Sequence, residues 1–568
     1  MRRRTPIALT LPVLAAVGTA GLVAGPGTAL ARTIPATAAS VPSTRLGGYD
    51  LDRTTIPQLQ QLMNRHRLSS AQLVSFYEQR ISELNPRLHA VISTNPNAAA
   101  DARRSDSARR RHGQVGALEG IPVLLKDNID TGDAESTTAG SYALIAAHPR
   151  DAFLVARLRA AGAVILGKAN LSEWANFRST SASSGWSAVG GQTNNPYALN
   201  RNPCGSSSGS AAGVAADLAT VAVGTETDGS IVCPAGQNGD VGIKPTLGLV
   251  SRTGVVPISA QQDTAGPIAR NVTDASVLLG ALTGVDPADS ATAASARHTS
   301  KNYNPNLRRD ALAGARIGIW RQGVTGTSSK ADAAFGQTVK RLRELGATVI
   351  DPANLPNVAS IGTAEGTALD TEFHHDINAY LHALPGLHPG DLAGLISYNN
   401  AHRSTELRYF GQETFLQAQA ATASENDPAY RKARATATAT ARASIDNTLR
   451  KYKLDAVLSE TNGPAWTTDL INGDPGSAIV SSSTPAAVAG YPSITVPSAY
   501  SFGLPLGVSF TGGQWSEPRL LALAYAFEQG TLVRVPPQFR PIVPSQTGPT
   551  GPTGTTRVPA PRTATTTR

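Results

Sequence analysis

The chain has 568 residues, of which 41% are hydrophobic and 16% are charged, a balance typical of a globular protein with a large core. Its formal net charge is +9, but residues 1–31 and 545–568 each contain three arginines and no acidic residue. Because the rest of the chain is nearly neutral and has no basic stripe, the composition argues against a nucleic-acid-binding protein.

Residues 1–31 have the organisation of a secretory signal peptide. Three arginines precede an apolar stretch, and the small-x-small sequence Ala29-Leu30-Ala31 predicts cleavage before Arg32. The paired arginines leave the twin-arginine export route open. A membrane anchor is the alternative, but Gly25-Pro26-Gly27 interrupts the apolar stretch. We therefore expect a secreted protein without membrane contact once the signal is removed.

Residues 49–544 are predicted to form the folded domain. Residues 32–48 are rich in Ser, Thr, Ala and Pro and are predicted to be flexible, and the low-complexity residues 545–568 are predicted to be disordered. Two helices are predicted after residue 48. In the second, SSAQLVSFYEQRISELN, Ser69 and Gln72 fit a capping box, and Asn85-Pro86 is predicted to end the helix.

From about residue 118, short apolar runs alternate with helical patterns. Continuous apolar strands separated by helices indicate an α/β fold whose sheet is buried on both faces and draws strands from both halves of the chain. Residues 360–450 are more helical and polar, as in a cap or an insertion. The predicted strands lie at 121–126, 163–167, 218–224, 315–320, 347–351, 454–458, 493–497 and 506–510.

Residues 204–230, CGSSSGSAAGVAADLATVAVGTETDGS, concentrate serine and glycine beside an apolar run. Gly205-Ser-Ser207-Ser-Gly209 matches the nucleophile elbow of α/β-hydrolases, in which a later histidine activates the serine. However, the last histidine is His402, more than 160 residues before the end of the chain, and NNPYALNRNPCG, a loop sequence, precedes Ser207. We therefore favour serine chemistry without histidine.

A serine hydroxyl is a poor nucleophile until another group takes its proton, and a neutral lysine can replace histidine in that role. Lys126 ends the apolar run IPVLL and precedes the polar DNID. Burial at the end of a strand can lower the pKa of a lysine enough to leave it neutral. The alternative is a surface lysine whose stem lies along apolar residues and whose amine reaches solvent.

Three other features allow more than one interpretation. Gly162-Ala-Val-Ile-Leu-Gly167-Lys168 has phosphate-loop spacing, but Ala169 replaces the required Ser or Thr, so we predict a buried strand. His374-His375-Asp376 lacks complementary ligands elsewhere, so we predict a helix surface and no metal. Cys204 and Cys233 fit either one disulfide or two buried thiols.

Four motifs give the chain a resemblance to the amidase signature family, extending from about residue 50 to residue 540. The resemblance implies one large mixed central β-sheet covered by helices on both faces, and no cofactor. The motifs are GIPVLLKDNID (120–130), PCGSSSGSAAGVAA (203–216), GTETDGSIVCPAGQNGDVGIKPTLGLVSRTGVVP (224–257) and QDTAGPIAR (262–270).

The resemblance also implies roles for individual residues. Ser230 aligns with the nucleophile, Lys126 with the general base, and Ser206 with a bridging serine that follows Gly205 in a cis peptide. Ser207 is expected to support Lys126 by hydrogen bonding. The backbone N–H groups expected to form the oxyanion hole are those of Thr227, Asp228, Gly229 and Ser230.

Segments such as NLSEWANF (170–177), FGQE (410–413) and AVAGYPS (487–493) are most similar to the peptide-amidase branch of the family. Val232 stands where many family members have arginine, and this branch shares that change. We therefore expect a secreted serine amidase that converts carboxamides to carboxylate and ammonia, with the C-terminal amide of a peptide as substrate. We also expect a monomer.

Three alternatives remain open at this point. The chain could hydrolyse other small or acyl amides, act as the glutaminase-type subunit of an amidotransferase, or be an inactive binding protein on the same fold. A signal peptide argues against the second, because aminoacyl-tRNA is cytosolic, and the intact serines and lysine argue against the third. Trp174, Trp186 and Trp466 are candidate walls of a substrate pocket, or simple core residues.

Overall fold

The computed structural model describes residues 41–476, 480 and 482–543. The predicted signal peptide (1–31) and the predicted disordered tail (545–568) lie outside the described residues, as do residues 32–40. Arg45–Leu46 pairs with Tyr49–Asp50, so regular structure begins inside the segment predicted to be flexible.

Most strands form one central sheet, and the others form short two-stranded pairs. In chain order the strands are β1 (Arg45–Leu46), β2 (Tyr49–Asp50), β3 (Val91–Thr94), β4 (Pro122–Lys126), β5 (Ala146–Ala147), β6 (Val164–Ala169), β7 (Trp186–Ser187), β8 (Gly191–Gln192), β9 (Val221–Glu226), β10 (Val241–Lys244), β11 (Thr264–Ala269), β12 (Arg316–Ile319), β13 (Thr348–Ile350), β14 (Gly386–Leu387), β15 (Ala456–Glu460), β16 (Ser493–Ser501) and β17 (Leu504–Thr511).

The central sheet has eleven strands in the order β13-β12-β15-β17-β16-β10-β11-β9-β4-β6-β3. The pairs β4–β6, β4–β9, β12–β13 and β12–β15 are parallel, and the other pairs are antiparallel. The two halves of the chain meet where β10 pairs with β16. The prediction of one large mixed sheet is confirmed, and each of the eight predicted strands overlaps a strand of that sheet.

Helices surround this sheet. Among the described residues no helix combines the length and the apolar composition that crossing a membrane would need. The helices are α1 (Ile56–Asn64), α2 (Ser70–Leu88), α3 (Ala98–His112), α4 (Phe153–Ala160), α5 (Ser208–Ala215), α6 (Val232–Gln237), α7 (Val272–Leu282), α8 (Ser329–Glu344), α9 (Val358–Ala383), α10 (Leu392–Ala401), α11 (Glu413–Ala420), α12 (Pro428–Tyr452), α13 (Thr484–Ala489) and α14 (Glu517–Thr531).

Helix α2 begins as predicted but ends later. Ser69 and Gln72 form the predicted capping box. The prediction that Asn85-Pro86 ends the helix is wrong, because the helix continues to Leu88. Pro86 lies in the last turn, where its missing N–H removes a single hydrogen bond, and the helix ends at His89 in a left-handed conformation.

The predicted helical region contains α9 to α12 and has apolar clusters apart from the main core. One cluster joins Phe373, Leu395 and Phe415 to Trp174 and Ile258, which lie in loops around residues 139–177 and 256–258. These helices therefore pack against loops next to the serine-rich segment, in the manner expected of a cap.

Candidate active site

Lys126 is the last residue of β4, and its side chain is completely buried. Its Nζ lies 2.6 Å from Ser206 Oγ, 2.9 Å from Thr225 Oγ1 and 3.3 Å from the Thr225 carbonyl oxygen. The structure therefore brings two of the three predicted site residues, Lys126 and Ser206, into direct contact. The alternative of a solvent-reaching surface lysine is wrong.

Burial lowers the pKa of Lys126 to about 7, while the carboxylates of Asp263 and Glu226 act in the opposite direction. The three hydrogen-bond contacts of Nζ are all with uncharged oxygens of Ser206 and Thr225. A large fraction of this amine is therefore neutral near pH 7 and carries a lone pair that can accept a proton.

Thr225 orients that lone pair. A neutral amine has two N–H groups, and a carbonyl oxygen can only accept, so the Thr225 carbonyl takes one of them. Thr225 Oγ1 accepts a hydrogen bond from Asn128 Nδ2 at 3.0 Å and lies beside Nζ, where it can accept the second. With both N–H groups on Thr225, the lone pair of Lys126 faces Ser206.

The sequence motifs did not identify Thr225 or Asn128. The available signal was the position of Asn128, two residues after Lys126 in the same KDNID segment. Thr225, near the end of β9, carried no comparable signal because it reads as an ordinary strand residue.

Ser206 is completely buried, and the Gly205–Ser206 peptide bond is cis. The Ser206 carbonyl accepts the N–H of Ser172 at 3.1 Å. Helix α5 starts two residues later and packs tightly, since a Cβ at Gly209 would lie 2.2 Å from the carbonyl oxygen of Ala90. A glycine is therefore required where this helix brings the serines against the sheet.

The predicted hydrogen bond from Ser207 to Lys126 is not formed, and that prediction is wrong. Ser207 Oγ donates to the Thr225 carbonyl at 3.0 Å and accepts the Thr225 N–H at 3.1 Å. Because Ser207 faces the backbone of β9 from the start of α5, it reaches the Thr225 peptide and supports Lys126 only through that residue. Ser208 and Ser210 lie in α5.

Ser230 lies in the turn before α6 and is 9% exposed. Its carbonyl accepts the N–H of Ser207 at 3.1 Å, which fixes it beside the serine-rich segment. Its Oγ makes no hydrogen bond to any residue that the structure describes. The contact between Lys126 and Ser206 is thus formed, whereas a hydrogen bond between Ser206 and Ser230 is not.

The loop from Thr227 to Ser230 presents free backbone donors. None of its four N–H groups donates a hydrogen bond within the described part of the chain. Glu226 Oε2 instead accepts the next two, from Ile231 at 2.8 Å and Val232 at 3.0 Å. Gly229 has φ +79°, a conformation that favours glycine and allows the sharp turn.

Cys204 and Cys233 form a disulfide, which decides between the two interpretations left open by the sequence. One cysteine precedes Gly205, and the other lies three residues after Ser230. The bridge therefore joins the two segments that carry the candidate serines.

The three tryptophans named as candidate pocket walls, Trp174, Trp186 and Trp466, are buried. The indole of Trp186 packs against Tyr409 and Phe410, next to the FGQE segment, and Trp174 packs against Phe415. Trp466 Nε1 donates to Asp474 at 3.0 Å. None contacts Lys126, Ser206 or Ser230 by a hydrogen bond.

His374, His375 and Asp376 lie on α9, as predicted. Together with Glu425, His375 and Asp376 place potential ligand atoms within 4.8 Å of one another. The Asp376 carboxylate already accepts the N–H of Ala260 at 2.6 Å and contacts His375 Nδ1 at 2.8 Å. This arrangement is that of a hydrogen-bonded group between the helix and a neighbouring loop.

Comparison with known proteins gives a consistent result. A family model described as Amidase matches residues 72–521. A probable amidase of Arabidopsis thaliana is 44% identical over 503 residues, which cover 86% of this chain and 92% of that protein. The native peptide amidase from Stenotrophomonas maltophilia is 48% identical, with a TM-score of 0.81 over 86% of this chain and 99% of that one.

More distant similarity extends to a component of glutamyl-tRNA(Gln) amidotransferase. The protein from Thermoanaerobacter pseudethanolicus is 32% identical over 500 residues, which cover 86% of this chain and 99% of that protein. On the extent of the family match and the similarity to solved amidases, this chain belongs to the amidase signature family and is a hydrolase that acts on amide C–N bonds.

Proposed function

We propose that this enzyme hydrolyses the C-terminal carboxamide of peptides to a carboxylate and ammonia, through an acyl-enzyme on Ser230. The contact of 2.6 Å between Lys126 Nζ and Ser206 Oγ carries the proposal, because the amine is buried and its pKa is lowered to about 7. The likeness to the peptide amidase of Stenotrophomonas maltophilia supports a peptide amide as the substrate. The signal-like residues 1–31 support secretion.

In the first step, neutral Lys126 takes the proton of Ser206, and Ser206 takes the proton of Ser230. The Ser230 oxygen attacks the amide carbon, which becomes tetrahedral, and negative charge moves to the former carbonyl oxygen. The free N–H groups of residues 227–230 are available to stabilise this oxyanion, and one such donor is worth about 3 kcal/mol.

In the second step, the tetrahedral intermediate collapses and the C–N bond breaks. The proton held by Lys126 returns through Ser206 to the leaving nitrogen, so that ammonia departs and an ester remains on Ser230. Water then attacks the ester, gives its proton to the same relay, and releases the carboxylic acid and free Ser230.

The relay requires Ser230 Oγ to come within hydrogen-bonding distance of Ser206 Oγ. Contacts of this kind can be long without substrate and tighten only in the Michaelis complex. A small rotation of the Ser230 side chain about χ1 is the movement that we expect substrate binding to produce.

The decisive experiment measures ammonia release from dipeptide C-terminal amides, free amino-acid amides, glutamine and a long-chain acyl amide. Ser230→Ala is compared with wild type, and Ser210→Ala serves as a matched control, because Ser210 Oγ only donates to the Val223 carbonyl in the same segment. We expect peptide amides to be turned over by wild type and Ser210→Ala but not by Ser230→Ala.

Each alternative outcome has its own meaning. Activity retained by Ser230→Ala would exclude Ser230 as the nucleophile. Turnover confined to free amino-acid or acyl amides would keep the mechanism and change the substrate class. Preferential release of ammonia from glutamine would favour the amidotransferase-like alternative.

A further inference from the structure

Gln262 and Asp263 hold the carbonyl and the hydroxyl group of Thr227, the first residue of the loop that carries the free N–H groups. Gln262 Nε2 donates to the Thr227 carbonyl at 2.9 Å. Thr227 Oγ1 donates to Asp263 Oδ1 at 2.6 Å. The first peptide group of the loop is therefore fixed from outside the loop, by the segment just before β11.

The position of the Thr227 carbonyl determines the direction of the next N–H. In a trans peptide the C=O of one residue and the N–H of the following residue lie in one plane and point in opposite directions. The carbonyl of Thr227 points to Gln262, so the N–H of Asp228 points to the other side. No described residue accepts that N–H, which leaves it for a ligand.

The orientation of the Gln262 carboxamide is itself determined. The residue is completely buried, and its Nε2 also donates to Glu365 Oε1, while its Oε1 accepts from Arg434 Nη1 at 3.1 Å. A carbonyl oxygen requires the nitrogen of the amide, and a guanidinium requires the oxygen. A flipped carboxamide would therefore lose the hydrogen bonds with Thr227 and Arg434.

Arg434 is fixed in turn by the helical region. It lies on α12 and makes a two-pronged contact with Glu372 of α9, with Nε 2.6 Å from Oε1. Glu372 is completely buried and also accepts from Ser259 Oγ at 2.6 Å and Tyr430 Oη at 3.0 Å. A continuous set of buried hydrogen bonds thus runs from α9 and α12 to the backbone of the loop.

We propose that Gln262, held in place by Arg434 and Glu372, is a positioning residue that aims the backbone N–H of Asp228 at the oxyanion of the tetrahedral intermediate. This inference rests on the proposed function, in which that oxyanion forms on the carbonyl attacked by Ser230. The helices of the cap would then contribute to the rate without touching the substrate.

The test is Gln262→Met, which keeps the approximate volume and removes all three hydrogen bonds. We expect kcat on a dipeptide amide to fall about 10- to 100-fold, while KM changes less than about twofold, because oxyanion contacts act in the transition state. A peptide aldehyde, which forms a tetrahedral adduct with a serine, should bind weaker by the same factor as kcat/KM. The corresponding peptide alcohol should bind unchanged.

Gln60 provides a matched control. It is 4% exposed, its Nε2 donates to the carbonyls of Ala117 and Glu119, and its Oε1 accepts from Arg109 Nη2 at 2.6 Å. Gln60→Met therefore also removes two hydrogen bonds donated by Nε2 and one accepted by Oε1 from an arginine, at a place that contacts no site residue. We expect it to lower stability as Gln262→Met does, without changing kcat or aldehyde binding.

If folded Gln262→Met keeps wild-type kcat and aldehyde affinity, the inference is overturned, while loss of turnover in Ser230→Ala would leave the proposed function intact. Turnover retained in Ser230→Ala would overturn the proposed function instead. Should Gln262→Met fail to fold, Arg434→Lys is the second test. Its single ammonium cannot reproduce the fork that joins Glu372 to Gln262, and an unchanged kcat there would equally overturn the inference.

Discussion

Lys126 and Lys168 lie on the neighbouring strands β4 and β6, and both side chains are completely buried. Lys168 is in register with Leu125 rather than with Lys126, so the two lysines point to opposite faces of the sheet. Lys168 Nζ donates to the carbonyl of Ile129 and, at 2.9 Å, to Thr137 Oγ1. Both amines therefore have uncharged hydrogen-bond partners.

The charges around the two amines differ. Burial lowers the pKa of both, but four carboxylates act on Lys168 against two on Lys126. Two of the four, Asp127 and Asp130, are themselves buried, and burial raises their pKa to about 6 and about 7. Lys168 is thus one member of a buried charge cluster, whereas Lys126 adjoins a serine hydroxyl. Because both lysines are completely buried, the proposed role of Lys126 as a base depends on the groups around its amine and not on burial alone.

Replacing Lys126 with methionine is expected to have the largest effect. Loss of the general base should lower kcat/KM for a dipeptide amide by about 10³-fold, because the serine relay then has no proton acceptor. Lys168→Met should lower it less than about tenfold in folded protein. Ammonia release and circular dichroism of both variants provide the measurements. Equal losses in the two folded variants would erase the functional contrast between the lysines.

For stability, in contrast to activity, Lys168→Met is expected to have a larger effect than Lys126→Met. Lys168→Met should lower the free energy of unfolding by about 3 kcal/mol, because Asp127 and Asp130 lose the positive charge that lowers their pKa. Lys126→Met should be neutral or stabilising at pH 7, since it removes a poorly solvated amine. Denaturant unfolding followed by tryptophan fluorescence measures both changes. A more destabilised Lys126→Met would contradict the assignment of Lys168 to the charge cluster.

The activity of the wild-type enzyme should fall below about pH 7. Only neutral Lys126 accepts a proton, and its pKa of about 7 predicts roughly a tenfold loss of kcat/KM per pH unit below that value. In unfolded chains this lysine has an ordinary, higher pKa and binds more protons, so its contribution to stability rises with pH from about 7 upward. A pH–rate profile from pH 5 to 9 measures the first effect.

Asp263→Asn tests whether the acid limb of that profile, the fall in kcat/KM below about pH 7, reports the titration of Lys126. The Asp263 carboxylate raises the pKa of Lys126, so the limb should move to lower pH in this variant. Lys168→Met should leave it in place. A limb that followed Lys168 instead would assign the titration to the other lysine.

Thr225→Val should cause a much smaller loss than Lys126→Met, about tenfold in kcat/KM. The substitution removes the hydroxyl beside Nζ but keeps the carbonyl, so one N–H of Lys126 loses its acceptor and the lone pair is oriented less strictly. Thr225→Ser should restore most of the activity. Failure of serine to do so, with both variants folded, would assign the loss to packing rather than to the hydroxyl.

Much of the sheet could be predicted from the sequence because its strands are continuous apolar runs between helices. Three strands were missed for physical reasons. β3 (VIST) and β10 (VGIK) each contain only two large apolar residues and end in a polar one, and β11 contains Gly266 and Pro267, which normally argue against a strand. Its pairing with β10 ends at Ile268, so Pro267 lies where the strand has one partner, β9.

The candidate site, like the sheet, could be predicted only in part from the sequence. Lys126, Ser206 and Ser230 lie in motifs that can be read locally and by resemblance. The contact between Gln262 and Arg434 could not be predicted, because 172 residues separate them and only the packing of α12 brings them together. The hydrogen-bond partner of Ser207 could not be predicted either, because it depends on how α5 faces β9.

The junction between β10 and β16 has a consequence for the order of folding. Residues 242–244 of β10 pair with residues 493–495 of β16, so roughly 250 residues must be synthesised before the two halves can join. During that time β10 can pair only with β11 and leaves an exposed strand edge, which invites association with other chains. We therefore expect slow folding that is completed only after the last quarter of the chain emerges, and aggregation of chains truncated before β16.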